Sequence, residues 1–256
     1  LAVIIKTRDE IAIMREAGRI NARALEAMVR AVRPGVTTRE LDRIALDVLR
    51  AHGAQPAFLG YPNDSYPGHP YPATINASVN DELVHGIPSR RKLREGDILS
   101  LDCGAIYQGY VGDSAVTVAV GTISSAAQRL LDVTREALHR AIEASRVGNR
   151  VGDVSATIQE WVESQGYNVV REYTGHGVGR DMHEEPQVLN WGKRERGTPL
   201  RVGMTYAIEP MVCMGSADLY VKADHWTVAT VDGQLCAHFE HTIAITDGEP
   251  EILTLP

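Results

Sequence analysis

Leu93-Arg94-Glu95-Gly96-Asp97-Ile98-Leu99-Ser100-Leu101-Asp102 and Leu200-Arg201-Val202-Gly203-Met204-Thr205-Tyr206-Ala207-Ile208-Glu209 share one register. Each opens on Leu-Arg, carries a glycine in fourth place, and closes an apolar strand on a carboxylate. The regions before them also match. Arg33-Pro34-Gly35 and Arg146-Val147-Gly148 stand the same distance ahead of Gly53 and Gly166. Between those marks Leu41, Ala45, Val48 and Leu49 align with Val154, Ile158, Trp161 and Val162, all apolar. Shared glycine spacing alone is weak; with the apolar register and the placed carboxylate it indicates an internal repeat and a pseudo-twofold fold.

Helix and strand signals fill in both halves. Thr7-Arg8-Asp9-Glu10 and Thr37-Thr38-Arg39-Glu40 have the form of capping boxes. The first predicts a helix up to Pro34-Gly35, the second a helix ending at His52-Gly53. A proline-rich loop from Pro56 to Pro72 follows, then strands near 73–79, 97–103 and 114–120. In the second half a helix runs from about Ser125 to Gly148, and another, capped by Asp153, ends at Gly166. Strands are expected near 167–173, 204–214, 226–231 and 238–246. With no long linker between the halves, one domain over residues 1–256 is expected, with repeats at about 7–120 and 125–246.

Composition narrows the function classes. The 256 residues are 44% hydrophobic and 23% charged, with a formal net charge of -7. No basic stretch offsets that charge, which argues against a nucleic-acid binder; Ser89-Arg90-Arg91-Lys92 reads as a solvated turn. Leu1-Ala2-Val3-Ile4-Ile5 is too short for a signal peptide, and no apolar run spans a membrane. Cys103, Cys213 and Cys236 form no C-x-x-C pair, which favours reduced thiols in a cytoplasmic protein. Cys103, next to Asp102, should face the opposite side of its strand and pack in the core.

Four carboxylates lie in or beside apolar strands: Asp102, Asp113, Glu209 and Glu240. A hairpin would bring Asp102 and Asp113 to neighbouring positions of one sheet face. Buried carboxylates need cations, and these strands carry no matching Lys or Arg. A pair of divalent ions answers that need, and oxygen-rich ligation with one imidazole suits Mn, Fe, Co or Zn. Imidazoles come from the Gly- and Pro-rich loops holding His85, His176 and His183. A lone histidine of this kind is more often structural; three beside four strand carboxylates point to a site. The glycines around His176 are no phosphate loop, since neither a strand–helix transition nor a lysine accompanies them.

With its contexts LDCGAIYQGYVGDSA, GHGVGRDMHEEP, GMTYAIEPM and HFEHT, the set Asp102, Asp113, His176, Glu209 and Glu240 resembles the five-ligand site of the type I methionine aminopeptidases. Asn80-Asp81-Glu82 and His85-Gly86-Ile87-Pro88 match as well, and the resemblance covers essentially the whole chain. It implies an α+β pita-bread fold, two pseudo-twofold halves with a curved antiparallel sheet covered by helices, forming a single catalytic domain. It also implies two divalent metal ions and removal of the first methionine from nascent polypeptides, by a monomer acting in the cytoplasm near the ribosome, without direct nucleic-acid or membrane contact.

By the same resemblance Asp113 and Glu240 bridge the metals, Asp102 holds one, and His176 with Glu209 holds the other. Glu209 is then the general base, His183 steadies the scissile carbonyl, and His85 contacts the scissile amide nitrogen. The side-chain pocket is lined by Phe58, Tyr61, Tyr71, Asn76, His85, Met182, His183 and Trp226. Here the sequence departs from the pattern. The family often has cysteine at Asn76, phenylalanine at Met182 and glycine at His225, and the 62–70 loop is longer than in its shortest members. Trp226 reads equally well as a core residue, and a buried Asn76 needs a polar partner. Two other readings compete. A proline-directed peptidase of the same fold usually carries an extra amino-terminal domain, whereas here the first helix begins within ten residues. A metal-free binding module on this scaffold would have lost ligands, and all five are present.

Overall fold

Thr7 and Glu10 cap each other's backbone in the computed structural model, which describes residues 2–256; Leu1, the first residue of the apolar start, lies outside them. The Thr7 hydroxyl accepts from the Glu10 N–H, and the Glu10 carboxylate accepts from the Thr7 N–H at 2.8 Å. Such a cap contributes about 1 kcal/mol. It starts helix α1 (Arg8–Ala31), and an equivalent box at Thr37 and Glu40 starts α2 (Thr38–Ala51). The second half repeats the pair as α3 (Ser125–Ala144) and α4 (Val151–Ser164). Helix α4 begins ahead of Asp153. The Asp153 carboxylate accepts the Arg150 N–H at 2.7 Å, so this residue caps from the third helical position and Arg150 is the N-cap. None of these helices is long and apolar enough to cross a membrane among the described residues.

The helices cover one face of a nine-stranded antiparallel sheet. Its centre is the hairpin of strands Ile98–Tyr107 and Tyr110–Ala119, turning at Gln108-Gly109, both with positive φ. Both strands run further than the sequence suggested, because Gly104 and Gly112 are paired strand residues here, not breakers. Gly112 has a packing reason: a Cβ there would lie 2.5 Å from the backbone nitrogen of Gly18 in α1. Strand Glu240–Ala244 joins the halves, pairing with Tyr110–Ala119 on one side and Thr205–Ile208 on the other.

Strand alternation divides the sheet into two faces. Leu99, Leu101 and Cys103 are buried in a core with Ile20, Met28, Leu41 and Leu49 of α1 and α2. The second core sets Leu130, Leu138, Val154 and Ile158 of α3 and α4 against Tyr206, Ile208 and Ile243. Each buried leucine or isoleucine contributes about 1.5–3 kcal/mol of apolar transfer, so this helix-covered side fixes the sheet. Cys103 therefore packs as its position predicted.

Two expected strands are each broken once, where the site forms. The 204–214 run divides into Thr205–Ile208 and Met211–Cys213, separated by Glu209 and Pro210, which has no N–H for a ladder. The 238–246 run divides at Phe239 into Cys236–His238 and Glu240–Ala244. The Phe239 N–H turns to the Pro210 carbonyl at 3.3 Å. Met211–Cys213 and Cys236–His238 pair in a separate small sheet with Asn168–Val169, all that forms of the 167–173 strand. Glu209 and Glu240 thus sit where the chain passes between sheets.

Candidate metal centre

Asp102 and Asp113 are held by the central hairpin. Asp102 pairs with Ala115 and Asp113 with Gly104, which places the carboxylates diagonally on the face away from the helices. Asp113 is further fixed by Thr242 of the joining strand: its N–H donates to the Thr242 hydroxyl at 3.1 Å, and that hydroxyl donates to the Asp113 carbonyl at 2.7 Å. Glu240 follows on the same strand, opposite Ala115. His176 enters on strand Gly175–Gly177, which the sequence reading took for loop because glycines flank it. Both glycines admit backbone closely; a Cβ on Gly177 would lie 2.3 Å from the Glu185 carbonyl oxygen.

Ligand-type atoms of Asp113, His176 and Glu240 all lie within 4.8 Å of one another. His176 Nε2 is 3.5 Å from Glu209 Oε1 and 3.9 Å from Asp113 Oδ2. Its Nδ1 lies 3.1 Å from the Gly177 carbonyl, which can only accept, so the proton sits on Nδ1 and Nε2 keeps its lone pair. Asp102 Oδ2 accepts from the Asn76 amide at 2.6 Å, the partner that a buried Asn76 required. Among the described residues Asp102 Oδ1 and Asp113 Oδ1 are buried without a hydrogen-bond partner.

Among the described residues no lysine or arginine pairs with Asp102, Asp113, Glu209 or Glu240. Burial, and then the facing acids, push Asp113 and Glu240 well above the usual carboxylate range; burial raises Asp102 to about 6. Such a cluster is costly as it stands, and divalent cations would relieve it. The orphaned oxygens, the free Nε2 and the donor set of four carboxylates with one imidazole all fit a metal centre.

Above the acids lies a cleft of about 780 Å³, counting its open mouth. All eight expected pocket residues line it: Phe58, Tyr61, Tyr71, Asn76, His85, Met182, His183 and Trp226. Gly104 keeps it open, since a Cβ there would come within 2.9 Å of Met182 and 3.0 Å of Phe58. Trp226 stands edge-on to Tyr71 and His85, with ring centroids 5.1 and 6.0 Å apart, so it is a wall and not a core residue. Burial lowers His85 to about 4. His183 reaches about 4 through desolvation at the cleft and then the facing His176. Both imidazoles are therefore neutral near pH 7. The Tyr61 hydroxyl lies 2.6 Å from His183 Nδ1, which leaves Nε2 for substrate.

One site residue escaped the sequence reading. His238 is buried, places Nε2 3.4 Å from Glu209 Oε2, and has no hydrogen-bond partner on either ring nitrogen among the described residues. It stands two residues before Glu240, and in an unbroken strand that spacing would have flagged it. Val84, Tyr173, Thr174 and Met211 complete the lining and carry no distinguishing sequence signal.

Comparison with known proteins agrees with this geometry. Residues 12–247 match metallopeptidase family M24. The methionine aminopeptidase of Clostridium acetobutylicum is 50% identical over 254 residues, 99% of each chain, and methionine aminopeptidase 1 of Bacillus subtilis is 49% identical over 98% of this chain and 99% of that one. The crystal structure of the Thermotoga maritima methionine aminopeptidase superposes with a TM-score of 0.95, at 47% identity and full coverage of both chains. The prolidase of Pyrococcus furiosus, 24% identical, superposes at 0.79 over 99% of this chain and 66% of its own, and so shares the fold alone. A pita-bread fold, this acid cluster and identity near one half over the full length place the chain in metallopeptidase family M24, among the methionine aminopeptidases.

Proposed function

We propose that this metal-dependent aminopeptidase removes the first methionine of nascent polypeptides with two divalent ions, Co, Mn, Fe or Zn, held by Asp102, Asp113, His176, Glu209 and Glu240. Asp113 and Glu240 would serve both ions, Asp102 would serve one, and His176 with Glu209 would serve the other. The enzyme acts as a monomer in the cytoplasm, where new chains leave the ribosome. The observation that carries this reading is the cluster of three buried carboxylates and the half-buried Glu209, without a Lys or Arg partner among the described residues, flooring an aromatic cleft.

When bound, the ions supply Lewis-acid activation of water and of the scissile carbonyl. The side chains do the rest. Glu209, whose Oε1 and Oε2 face the His176 and His238 imidazoles, takes the proton of the attacking water. Neutral His183, oriented by the Tyr61 hydroxyl, donates to the carbonyl oxygen as negative charge develops there. His85 faces the scissile nitrogen, where a proton must arrive for the amine to leave. The substrate's free α-amino group is drawn to the acid-rich floor, which selects chain ends. Phe58, Tyr61, Tyr71 and Trp226 enclose an unbranched apolar side chain; the Met182 thioether adapts to its end.

The test is cleavage of Met-Ala-Ser and of an Xaa-Pro peptide as divalent metal is titrated into chelator-stripped protein. Methionine release from the first alone, saturating near two equivalents of metal, is expected. Cleavage confined to the Xaa-Pro bond would move the chain to the proline-directed class, and no metal-dependent cleavage would leave a binding module. In the same assay, His85→Ala should lower kcat by about 10²–10⁴-fold with metal content unchanged, the range for a lost acid–base partner. Loss of metal in that variant would place His85 among the ligands.

A further inference from the structure

The loop at 62–70 is inserted between two pocket residues, Tyr61 and Tyr71. Its base is clamped there: the Tyr71 N–H donates to the Tyr61 carbonyl at 2.9 Å, and the Gly60 N–H to the Tyr71 carbonyl at 2.8 Å. Tyr71 is itself fixed, its hydroxyl donating to the Ile75 and Gly86 carbonyls. The loop is mostly exposed, yet its far side reaches across to the turn that carries Trp226.

Three ties join the two segments. The Asn63 amide donates to the His225 carbonyl at 2.9 Å, while its oxygen accepts the Ser65 and Tyr66 N–H groups and closes the loop's own turn. The His225 ring packs against Tyr66 and His69, with centroids 4.6 and 4.4 Å away. The Trp226 indole N–H, its one side-chain donor, goes to the His69 carbonyl at 2.8 Å. His69 lies between Gly68 and Pro70 in a loop that also holds Pro62 and Pro67, so this anchor is on stiffened backbone.

The turn beneath shows what these ties accomplish. His225 has φ 67, a left-handed conformation that a residue with a Cβ adopts only when its surroundings impose it. Asp224 holds the next two backbone N–H groups, at 3.0 and 2.8 Å, which fixes where Trp226 begins. Its indole then has Tyr71 and His85 on the cleft side, while its N–H is turned to the loop.

We infer that the 62–70 loop, through Asn63, His69 and His225, is a specificity-determining strap: it sets the position of Trp226 and hence the width of the first-residue pocket. This rests on the reading of Trp226 as a wall of the methionine pocket. A pinned wall rejects side chains that differ from methionine by shape; a released wall accommodates them. Asn63, His69 and His225 thereby act on substrate choice through another residue.

Asn63→Asp keeps the acceptor for the loop's own turn and removes the donor to His225. His225→Gly suits the positive φ and removes the ring from its stack. For each variant and the double, kcat and KM are measured on Met-Ala-Ser and Leu-Ala-Ser, with acrylamide quenching of tryptophan in the metal-free protein. The double variant should lower the Met-over-Leu ratio of kcat/KM by about tenfold, mainly through a lower KM for the leucine peptide, with kcat within about twofold. Quenching should increase, since an indole released from its anchor is more accessible. An unchanged ratio, or equal losses on both peptides, overturns the strap. Trp226→Ala in the parent separates the two readings: if it leaves the ratio unchanged, the pocket assignment fails; if it shifts the ratio and the double variant does not, the strap alone fails.

Discussion

Glu240→Ala should lower aminopeptidase turnover by on the order of 10³-fold and leave less than the parent's metal after dialysis. Glu240 is buried, lies within 4.8 Å of the Asp113 and His176 donors, and is placed by the strand that joins the two halves. Its loss removes the carboxylate proposed to serve both ions, and the flanking residues Phe239 and His241 supply no carboxylate in its place. The stability of the metal-free protein should move the other way. Burial and then the charges of Asp113 and Glu209 push the Glu240 pKa well above the usual 4.5. A carboxyl with a raised folded-state pKa contributes stability below its unfolded pKa and loses it as pH rises through the folded value. The isosteric Glu240→Gln removes that loss. With chelator present it should therefore melt higher than the parent at pH 7, the gap closing as pH falls towards about 4.5. Near-normal turnover in Glu240→Ala, or a Gln variant less stable than the metal-free parent at pH 7, would count against the site as assigned.

The ligand set was legible in the sequence because charge in an apolar strand is a rare pattern. Asp102 closes Ile98–Leu101, Glu209 follows Met204–Ile208, and no cation is spaced to answer them. Alternation also told which way Cys103 would face. What stayed hidden depends on where strands stop. Pro210 and the break at Phe239 hand the chain between sheets, and His238 reaches Glu209 from the small sheet while Glu240 stands on the large one. Periodicity assigned His176 to a loop since its glycines suppress a strand signal, although those glycines are what let neighbouring strands approach. Asn76 read as a pocket residue with an unsatisfied amide. Its acceptor, Asp102, is 26 residues away and is reached through strand pairing, which local sequence does not encode.

Glu209→Gln should separate ligation from proton transfer at the same position. The amide is isosteric and keeps a carbonyl oxygen for coordination, but it cannot take a proton from water. Turnover should fall by about 10²–10⁴-fold, the range for a positioned general base, while KM for Met-Ala-Ser changes little. Metal content, measured after dialysis, should fall less than in Glu240→Ala. The neighbours add a geometric condition. Glu209 Oε1 lies 3.5 Å from His176 Nε2 and Oε2 lies 3.4 Å from His238 Nε2, so the carboxylate is shared between two imidazoles. With the site free of metal, an amide presents one acceptor and one donor to the same pair, and the His176 lone pair, reserved by the Gly177 carbonyl, takes the amide nitrogen on that side. A structure of the metal-free variant should show the carbonyl oxygen towards His238; bound metal takes the His176 lone pair and should turn the carbonyl oxygen to the ion. A variant retaining kcat within tenfold would transfer the base to another group in the cleft, and neutral His183 would be the first to test.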